Sequence, residues 1–398
     1  MRIAILTTDS REHFKDYSRP VPYFGMAPEA LLQGFSRMSE VEIHVVSCAR
    51  ARMRSPEKLA ENIFFHGIHV PKIGWMQTLY QGCVRATRNV LRAIRPDIVH
   101  GQGTERDCAM SAVLSGYPNV VTIHGNMREI TRLFAGDYGL FGWLAKRLED
   151  FALKRTAGVF CNSEYTENLV RPRARKTWRV PNAIREEFFR SPYPSPLAAG
   201  EVGRSPGAAR NNQGPVLINV GAVTPRKRQL ELLNMARELH QEGLAFQLWF
   251  VGSAETANAY AARFLSEVRA LEQQGRVRHL GMKNTDELIP CFDESSALLH
   301  FPSEEAFGLV VAEALARGVK LFGTRTGGII DIASGVSDAE LFEVNDWTGL
   351  KRAIAGWLKA GAPTSSAGAD LMRKRYHPDH IARKHLEIYG EVLNGKGR

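Results

Sequence analysis

At 398 residues the chain is long enough for two domains with full cores, and 44% hydrophobic residues exclude a disordered polymer. No stretch approaches the eighteen or more consecutive apolar residues of a membrane-spanning helix, and the first apolar run meets Thr7, Thr8 and Asp9 too early for a secretory signal, so a cytoplasmic protein is expected. The net charge of +10 suits an anionic membrane surface or a diphosphate, whereas the recognition helix, zinc finger or stacking sheet of a nucleic-acid reader is missing, and no nucleic-acid partner is expected.

Short apolar runs alternate with helical patterns along the chain, the mark of parallel sheets covered by helices. The first half predicts strands at 2–6, 41–46, 64–69, 98–100, 120–124, 159–162 and 178–180, with long helices over 75–94 and 140–155. Between the first strand and Gly25 lies a polar stretch, 7–23, without a glycine. Basic clusters at Arg50, Arg52 and Arg54 and at Arg171, Arg173, Arg175 and Lys176 read first as solvated surface and second as contacts with the inner face of a membrane. Residues 192–214 are rich in Pro, Gly, Ala and Ser and read as a linker. The expected layout is therefore a first domain over 1–191, the linker, a second domain over 215–376, and a C-terminal helix over 377–398 that returns to the first domain.

The second half predicts strands at 216–220, 246–251, 277–280, 297–301 and 320–323 and helices at 229–241 and 258–273. Two such open α/β units in tandem predict a cleft at the carboxyl ends of their strands, where ligands bind in sheets of this kind. Gly221, Gly252, Gly281 and the pair Gly327 and Gly328 fall at those strand ends, where a backbone without side chains can approach a ligand. Turns alone would also explain each of them. Five scattered cysteines with no Cys-x-x-Cys pair suggest free, mostly buried thiols and no zinc site.

Chemistry concentrates in three places. Glu305 and Glu313 straddle Gly308, which opens a helix beginning at Leu309, and the unsatisfied amides of such a helix favour an anion. Arg226, Lys227 and Arg228 follow the Gly221 turn; a diphosphate would complement them, though a solvated basic turn would read the same. His124 ends a strand against Gly125, where a structural histidine is as compatible with the pattern as one that bonds a sugar hydroxyl or phosphate. Asp-x-Asp is absent, so a metal-bridged diphosphate has no evident ligand pair, and neither metal nor cofactor is expected.

With these residues assembled, the chain resembles the retaining glycosyltransferases of the GT-B fold, family four, also described as glycosyl transferases group 1, over nearly its whole length. The most specific match runs from Pro302 through Ser303, Glu304, Glu305, Ala306, Phe307 and Gly308 to Glu313, with support from the Thr122 to Gly125 segment, Asn182, Gly221 with Lys227, and Gly327 with Gly328. The resemblance implies two Rossmann-like α/β domains facing each other across a deep cleft, the C-terminal helix packing back on the first. It assigns the donor sugar to Glu305 and the amides of Phe307 and Gly308, the ribose to Glu313, and the diphosphate to Lys227 with Arg226, with Ala306 and Leu309 as further substrate-binding residues. His124 takes the sugar and phosphate edge, Met282 and Lys283 the base, and Gly25, Asn182, Gly221 and Gly252 further substrate contacts; the catalytic set is His124, Lys227 and Glu305. Ala222 stands where the family has arginine, and Ala306 where it has glycine.

The function implied is transfer of a hexose, with retention, from a nucleoside-diphosphate sugar to a hydroxyl of a glycan or lipid-linked acceptor. UDP-hexose is favoured over GDP-hexose on family frequency. A nucleotide-sugar epimerase, a phosphorylase or a non-catalytic sugar-nucleotide sensor would leave much the same sequence pattern.

Overall fold

The computed structural model describes residues 1–133, 139–190 and 214–395, so the linker expected at 192–214 lies outside the described residues except for Gly214. Contacts divide the chain into unit 1, Met1–Arg185 with Tyr376–Arg398, and unit 2, Glu186–Arg375.

In unit 1, strands β1 (Arg2–Leu6), β2 (Glu42–Ala49), β3 (Lys58–Ala60), β4 (Ile63–His69), β5 (Ile98–Gln102), β6 (Asn119–Ile123), β7 (Val159–Cys161) and β8 (Thr177–Arg179) form one sheet in the order β3-β4-β2-β1-β5-β6-β7-β8. Every pairing is parallel except β3 with β4. Side chains alternate across a strand, and β1 shows the result. Ile3 and Ile5 join one core with Phe35, Phe65, Phe160 and Tyr389, while Ala4 and Leu6 join another with Val46, Val99 and Ala112. Both faces are dry, as a parallel sheet requires.

The C-terminal helix Pro378–Asn394 belongs to this unit, as expected. It packs on the helix Met26–Phe35, Arg37 Nη1 meets Asp379 Oδ1 at 2.7 Å, and the Tyr389 hydroxyl lies 2.5 Å from His100 Nδ1 inside the core.

Unit 2 carries β9 (Val216–Val220), β10 (Gln247–Val251), β11 (Val277–His279), β12 (Ala297–His300), β13 (Lys320–Thr324) and β14 (Ala339–Phe342), all parallel, in the order β11-β10-β9-β12-β13-β14. Its core gathers Leu217, Leu248, Phe250, Leu299, Phe301 and Phe322 against helices that include Gln229–Gln241 and Ala259–Glu272. Strand order reverses between β9 and β12, and the loops leaving these two strands carry the Gly221 and Glu305 segments. That reversal is where a doubly wound sheet opens a crevice for ligands.

One local expectation needs correction, and one stretch that the sequence leaves without assigned structure gains it. The pattern over 75–94 is not one helix: the chain makes short 3₁₀ turns at Lys72–Gly74 and Met76–Thr78, and the helix starts at Gln81. Leu79 and Tyr80 are left-handed (φ 52° and 63°), because Trp75 is turned into the core with its indole N–H on the Val70 carbonyl at 3.0 Å and its own carbonyl bonded by the Tyr80 amide. The stretch 7–23 is not simply an open polar loop. Asp9 caps a helix, Ser10–Phe14, and the wholly buried Arg11 is ion-paired to Asp9 at 2.7 Å while donating to the carbonyls of Arg19 and Arg54 and to Ser55 Oγ. A buried charge of this kind is sustained only by such saturation of its donors. Among the described residues no helix is long and apolar enough to cross a membrane.

Candidate active site

In unit 2 the basic turn and the glutamate loop meet. Pro225–Lys227 is one 3₁₀ turn, and Lys227 Nζ bonds the Glu305 carboxylate. Arg226 Nη1 donates to the Glu304 carbonyl at 2.8 Å and lies 3.9 Å from Glu305 Oε1, so this arginine clamps the loop that carries the glutamate. Arg228 does not join them. It is left-handed (φ 57°), turns away from the cluster, and donates to the Val344 carbonyl and to Asn345 Oδ1.

His300, at the end of β12, completes the cluster with Nε2 3.1 Å from Glu305 Oε2. Burial, and then the charge of Lys227, push the His300 pKa down to about 4 against the opposing pull of Glu305. The imidazole is therefore neutral near pH 7, and the tautomer that bonds a carboxylate carries its proton on Nε2. Nδ1 is then a bare acceptor, and among the described residues it has no partner; neither do Asn219 Oδ1 on β9 and Thr324 Oγ1 at the end of β13. Burial alone would raise the Glu305 pKa, but the Lys227 charge and the His300 bond hold it well below the usual carboxylate range. Glu305 is thus a fixed anion and a poor base.

His300 supplies an acid-side signature. Its folded pKa is about 4, below the ordinary 6.5, so between those values the unfolded chain holds a proton that the folded chain lacks. Stability from this group is present above pH 6.5 and is lost as the pH falls towards 4, by up to about 1.4 kcal/mol per unit. His300→Gln should therefore narrow the stability gap to wild type by about 2 kcal/mol between pH 6.5 and 4.5 in chemical denaturation. A gap that stays constant over that range would refute the assignment.

The remaining unit 2 residues fall around this centre to different degrees. Gly308 (φ 94°) caps the helix Leu309–Ala316, and a methyl placed on it would sit 3.4 Å from Glu305 Cγ. Gly221 lies over the Lys227 stem, and Gly252 packs against the Gly221 carbonyl so closely that a methyl would sit 2.1 Å from that oxygen. Ala306 is half-buried and Phe307 buried. Glu313 is 2% exposed, so it is a buried acid on its helix and not part of a solvated face. Met282 is 74% exposed beyond β11, and Lys283 pairs with Glu287 at 3.4 Å.

Unit 1 places His124 just past β6, with Nε2 2.9 Å from Gln102 Oε1 and its pKa pushed down to about 4 by burial. It too is neutral near pH 7. Gln102 also approaches His100, whose Nε2 lies 2.7 Å from Thr122 Oγ1, so neighbouring strands lock these rings in place. Gly25 caps the helix Met26–Phe35, and Asn182 follows β8 in a half-buried loop. His300 and Gln102 are not among the site residues expected from sequence. For His300 a signal exists: it ends an apolar strand five residues before Glu305, just as His124 ends one before Gly125.

Comparison with known proteins bears on the family and the fold. The family model for glycosyl transferases group 1 matches residues 205–369, and that for Glycosyltransferase Family 4 matches residues 29–188. N-acetyl-alpha-D-glucosaminyl L-malate synthase of Bacillus anthracis is 32% identical over 140 residues, 33% of this chain and 36% of that protein. Sucrose synthase of Acidithiobacillus caldus is 28% identical over 212 residues, 47% of this chain and 27% of its own length. The match thus spans about a third of the first of these relatives and about a quarter of the second. 2-Deoxystreptamine glucosyltransferase of Streptomyces kanamyceticus is 25% identical over 296 residues, 73% of this chain and 74% of that one. Among solved structures, sucrose-phosphate synthase from Thermosynechococcus elongatus superposes with a TM-score of 0.72 at 16% identity, covering 99% of this chain and 100% of that one. Anabaena Alr3699/HepE in complex with UDP-glucose gives 0.68 at 16% identity, with 99% and 100% coverage. At these identities the superpositions establish the fold, and together with the two family models they show that the chain belongs to the family four glycosyltransferases of the GT-B fold.

Proposed function

We propose that the protein transfers a hexose, with retention of anomeric configuration and without a metal ion, from a nucleoside-diphosphate sugar to a hydroxyl of a glycan or lipid-linked acceptor. The carrying observation is the Lys227, Glu305 and His300 cluster beside the helix that Gly308 opens. Lys227, Arg226 and the first amides of that helix supply positive potential for a diphosphate. Glu305 accepts hydrogen bonds from sugar hydroxyls, and Glu313 from the ribose. Uridine is favoured as the base, in keeping with the UDP and UDP-glucose complexes of the Anabaena protein. Met282 and Lys283 border the base, and His124 of unit 1 takes the sugar and phosphate edge.

The same cluster supports a displacement on one face of the sugar. A glycosidase-like route needs a free carboxylate nucleophile paired with an acid, and the Glu305 carboxylate is instead spent on Lys227 and His300, which weakens it as a nucleophile. In this reading the anomeric carbon loses its bond to the diphosphate oxygen and gains one to the acceptor oxygen on the same face. The acceptor proton passes to the departing diphosphate. Residues 1–191 with 377–398 form the acceptor side and 215–376 the donor side, in a cytoplasmic enzyme that meets the membrane peripherally.

The test is incubation with UDP-glucose, UDP-galactose, UDP-N-acetylglucosamine and GDP-mannose against a panel of glycan and lipid acceptors, with EDTA present. A retained glycosidic linkage from a UDP-sugar is the expected product. UDP at a hundred times its dissociation constant should also stabilise the protein by about 2.7 kcal/mol. Intact donors throughout, with no stabilisation by UDP, GDP or ADP, would dismiss the proposal.

A further inference from the structure

Unit 1 contains a charged cluster that the donor chemistry does not use. Glu12, on the short helix after β1, is buried, with its side chain 1% exposed. It accepts from the Arg50 amide at 3.0 Å and from the Tyr17 hydroxyl at 3.2 Å. Arg50 leaves β2, Arg106 leaves β5, and both guanidinium groups lie 4.9 Å from the centroid of the buried Trp75 ring. The nearest carboxylate oxygen, Glu12 Oε1, is 3.8 Å from Arg50 and 3.7 Å from Arg106, beyond hydrogen-bonding reach.

Among the described residues neither guanidinium makes a hydrogen bond, so up to ten N–H donors stand over one aromatic ring with the Glu12 carboxylate beside them. The other nearby acid, Asp107, is buried, and burial pushes its carboxyl up towards the neutral form against the pull of Arg106. Two guanidinium groups over one tryptophan ring, with their N–H donors unspent, can grip a phosphate in a bidentate fashion.

A second feature lies on the same segments. The two segments that carry Glu12 and Trp75 also expose Phe14 (61%), Tyr17 (38%), Ile73 (69%) and Leu79 (41%). A cationic plate with an apolar fringe complements a molecule that is anionic at one end and greasy at the other. The segments carrying Glu12, Arg50, Trp75 and Arg106 follow the carboxyl ends of β1, β2, β4 and β5, the sheet edge from which His124 also departs.

We propose that this cluster is the acceptor subsite, and that the acceptor is a phosphate-bearing amphiphile whose phosphate or diphosphate lies on Arg50 and Arg106 and whose apolar chain lies along Phe14, Tyr17, Ile73 and Leu79. The proposal rests on the glycosyltransferase reading above and narrows its acceptor. The stretch after β1 is then the element that selects the acceptor, and its saturated anchor, Arg11, is what keeps it folded.

Titration calorimetry with farnesyl diphosphate, inorganic pyrophosphate and octyl glucoside tests it. The three probes carry head and chain, head alone, and chain with a neutral head. Farnesyl diphosphate should bind at least tenfold more tightly than either of the others. The double variant Arg50→Gln, Arg106→Gln should weaken it at least tenfold, Lys227→Ala should not, and Arg50→Lys, Arg106→Lys should restore part of the affinity and so separate lost binding from misfolding. Farnesyl diphosphate binding that survives the glutamine pair, that disappears with Lys227→Ala, or that is no stronger than pyrophosphate binding would overturn the subsite. UDP titrated in parallel reads the donor site separately. If UDP fails while arginine-dependent binding of farnesyl diphosphate persists, the subsite stands and the donor reading falls.

Discussion

Replacing Lys227 by alanine is expected to lower kcat with a UDP-sugar by about 10²- to 10³-fold, while the KM for the acceptor changes little. The argument starts from charge. As the bond to the sugar breaks, negative charge grows on the leaving diphosphate, and Lys227 Nζ is the cation already fixed at the edge of unit 2, held by Glu305 and by the 3₁₀ turn Pro225–Lys227. Arg226 is committed to the Glu304 carbonyl and Arg228 to Val344 and Asn345, so neither is free to replace it without unlatching a loop. Arginine at 227 should recover only part of the rate, because a planar fork does not reproduce a compact ammonium on a flexible stem. The variant also removes the main charge that keeps Glu305 ionised, so the Glu305 pKa should rise back towards the ordinary carboxylate range. Steady-state kinetics with matched circular dichroism decide the matter, and activity within tenfold of wild type would mean that Lys227 does not stabilise the departing group.

Much of this site is legible in the amino-acid sequence. Periodicity places the strands that lead into it, and the spacing of Glu305, Gly308 and Glu313 across a strand, loop and helix locates the anion-binding helix end. The basic turn is legible as a turn, but its partner is not. Lys227 and Glu305 are 78 residues apart, and their contact depends on β9 lying beside β12, a pairing that no local pattern encodes. His300 escapes notice for the same reason, since its role comes from the side of the strand end on which the glutamate returns. The short edge strands Lys58–Ala60 and Ala339–Phe342 are only half-buried and lack the apolar run that marks inner strands. Arg11 shows the limit most clearly. An arginine in a polar stretch reads as solvated, and burial is possible only because the folded chain adds the Arg54 carbonyl and Ser55 Oγ, 43 and 44 residues away, to the nearby Asp9 and Arg19 acceptors.

The second large effect is expected at Gly327, where alanine should abolish turnover without contacting substrate. Gly327 adopts φ 52°, and a methyl there would sit 1.5 Å from the Glu305 carbonyl oxygen and 2.7 Å from its carbonyl carbon. No rotamer relieves such a clash, because both groups are backbone, so the 303–308 loop must move by roughly 1 Å or more to restore a normal contact. That loop is tied at the Ser303 amide to the Arg226 carbonyl (2.9 Å) and at the Glu305 carbonyl to the Gly328 amide (3.3 Å), and its carboxylate is tied to Lys227 and His300. Displacement therefore breaks the cluster, and a misplacement of about 1 Å can cost about 10²-fold in rate. Overpacking should add a stability loss of about 1–3 kcal/mol. Gly335 is the control. It is also left-handed, at φ 73°, but a methyl there meets nothing closer than Arg375 Nη2 at 3.7 Å. Gly335→Ala should cost about 1 kcal/mol for the backbone conformation alone and leave kcat intact. If the two alanine variants lose activity equally, the loss comes from left-handed backbone strain in unit 2 and not from the contact that seats Glu305; if Gly327→Ala alone is inactive, the glycine pair exists to let the catalytic loop close against β13's turn.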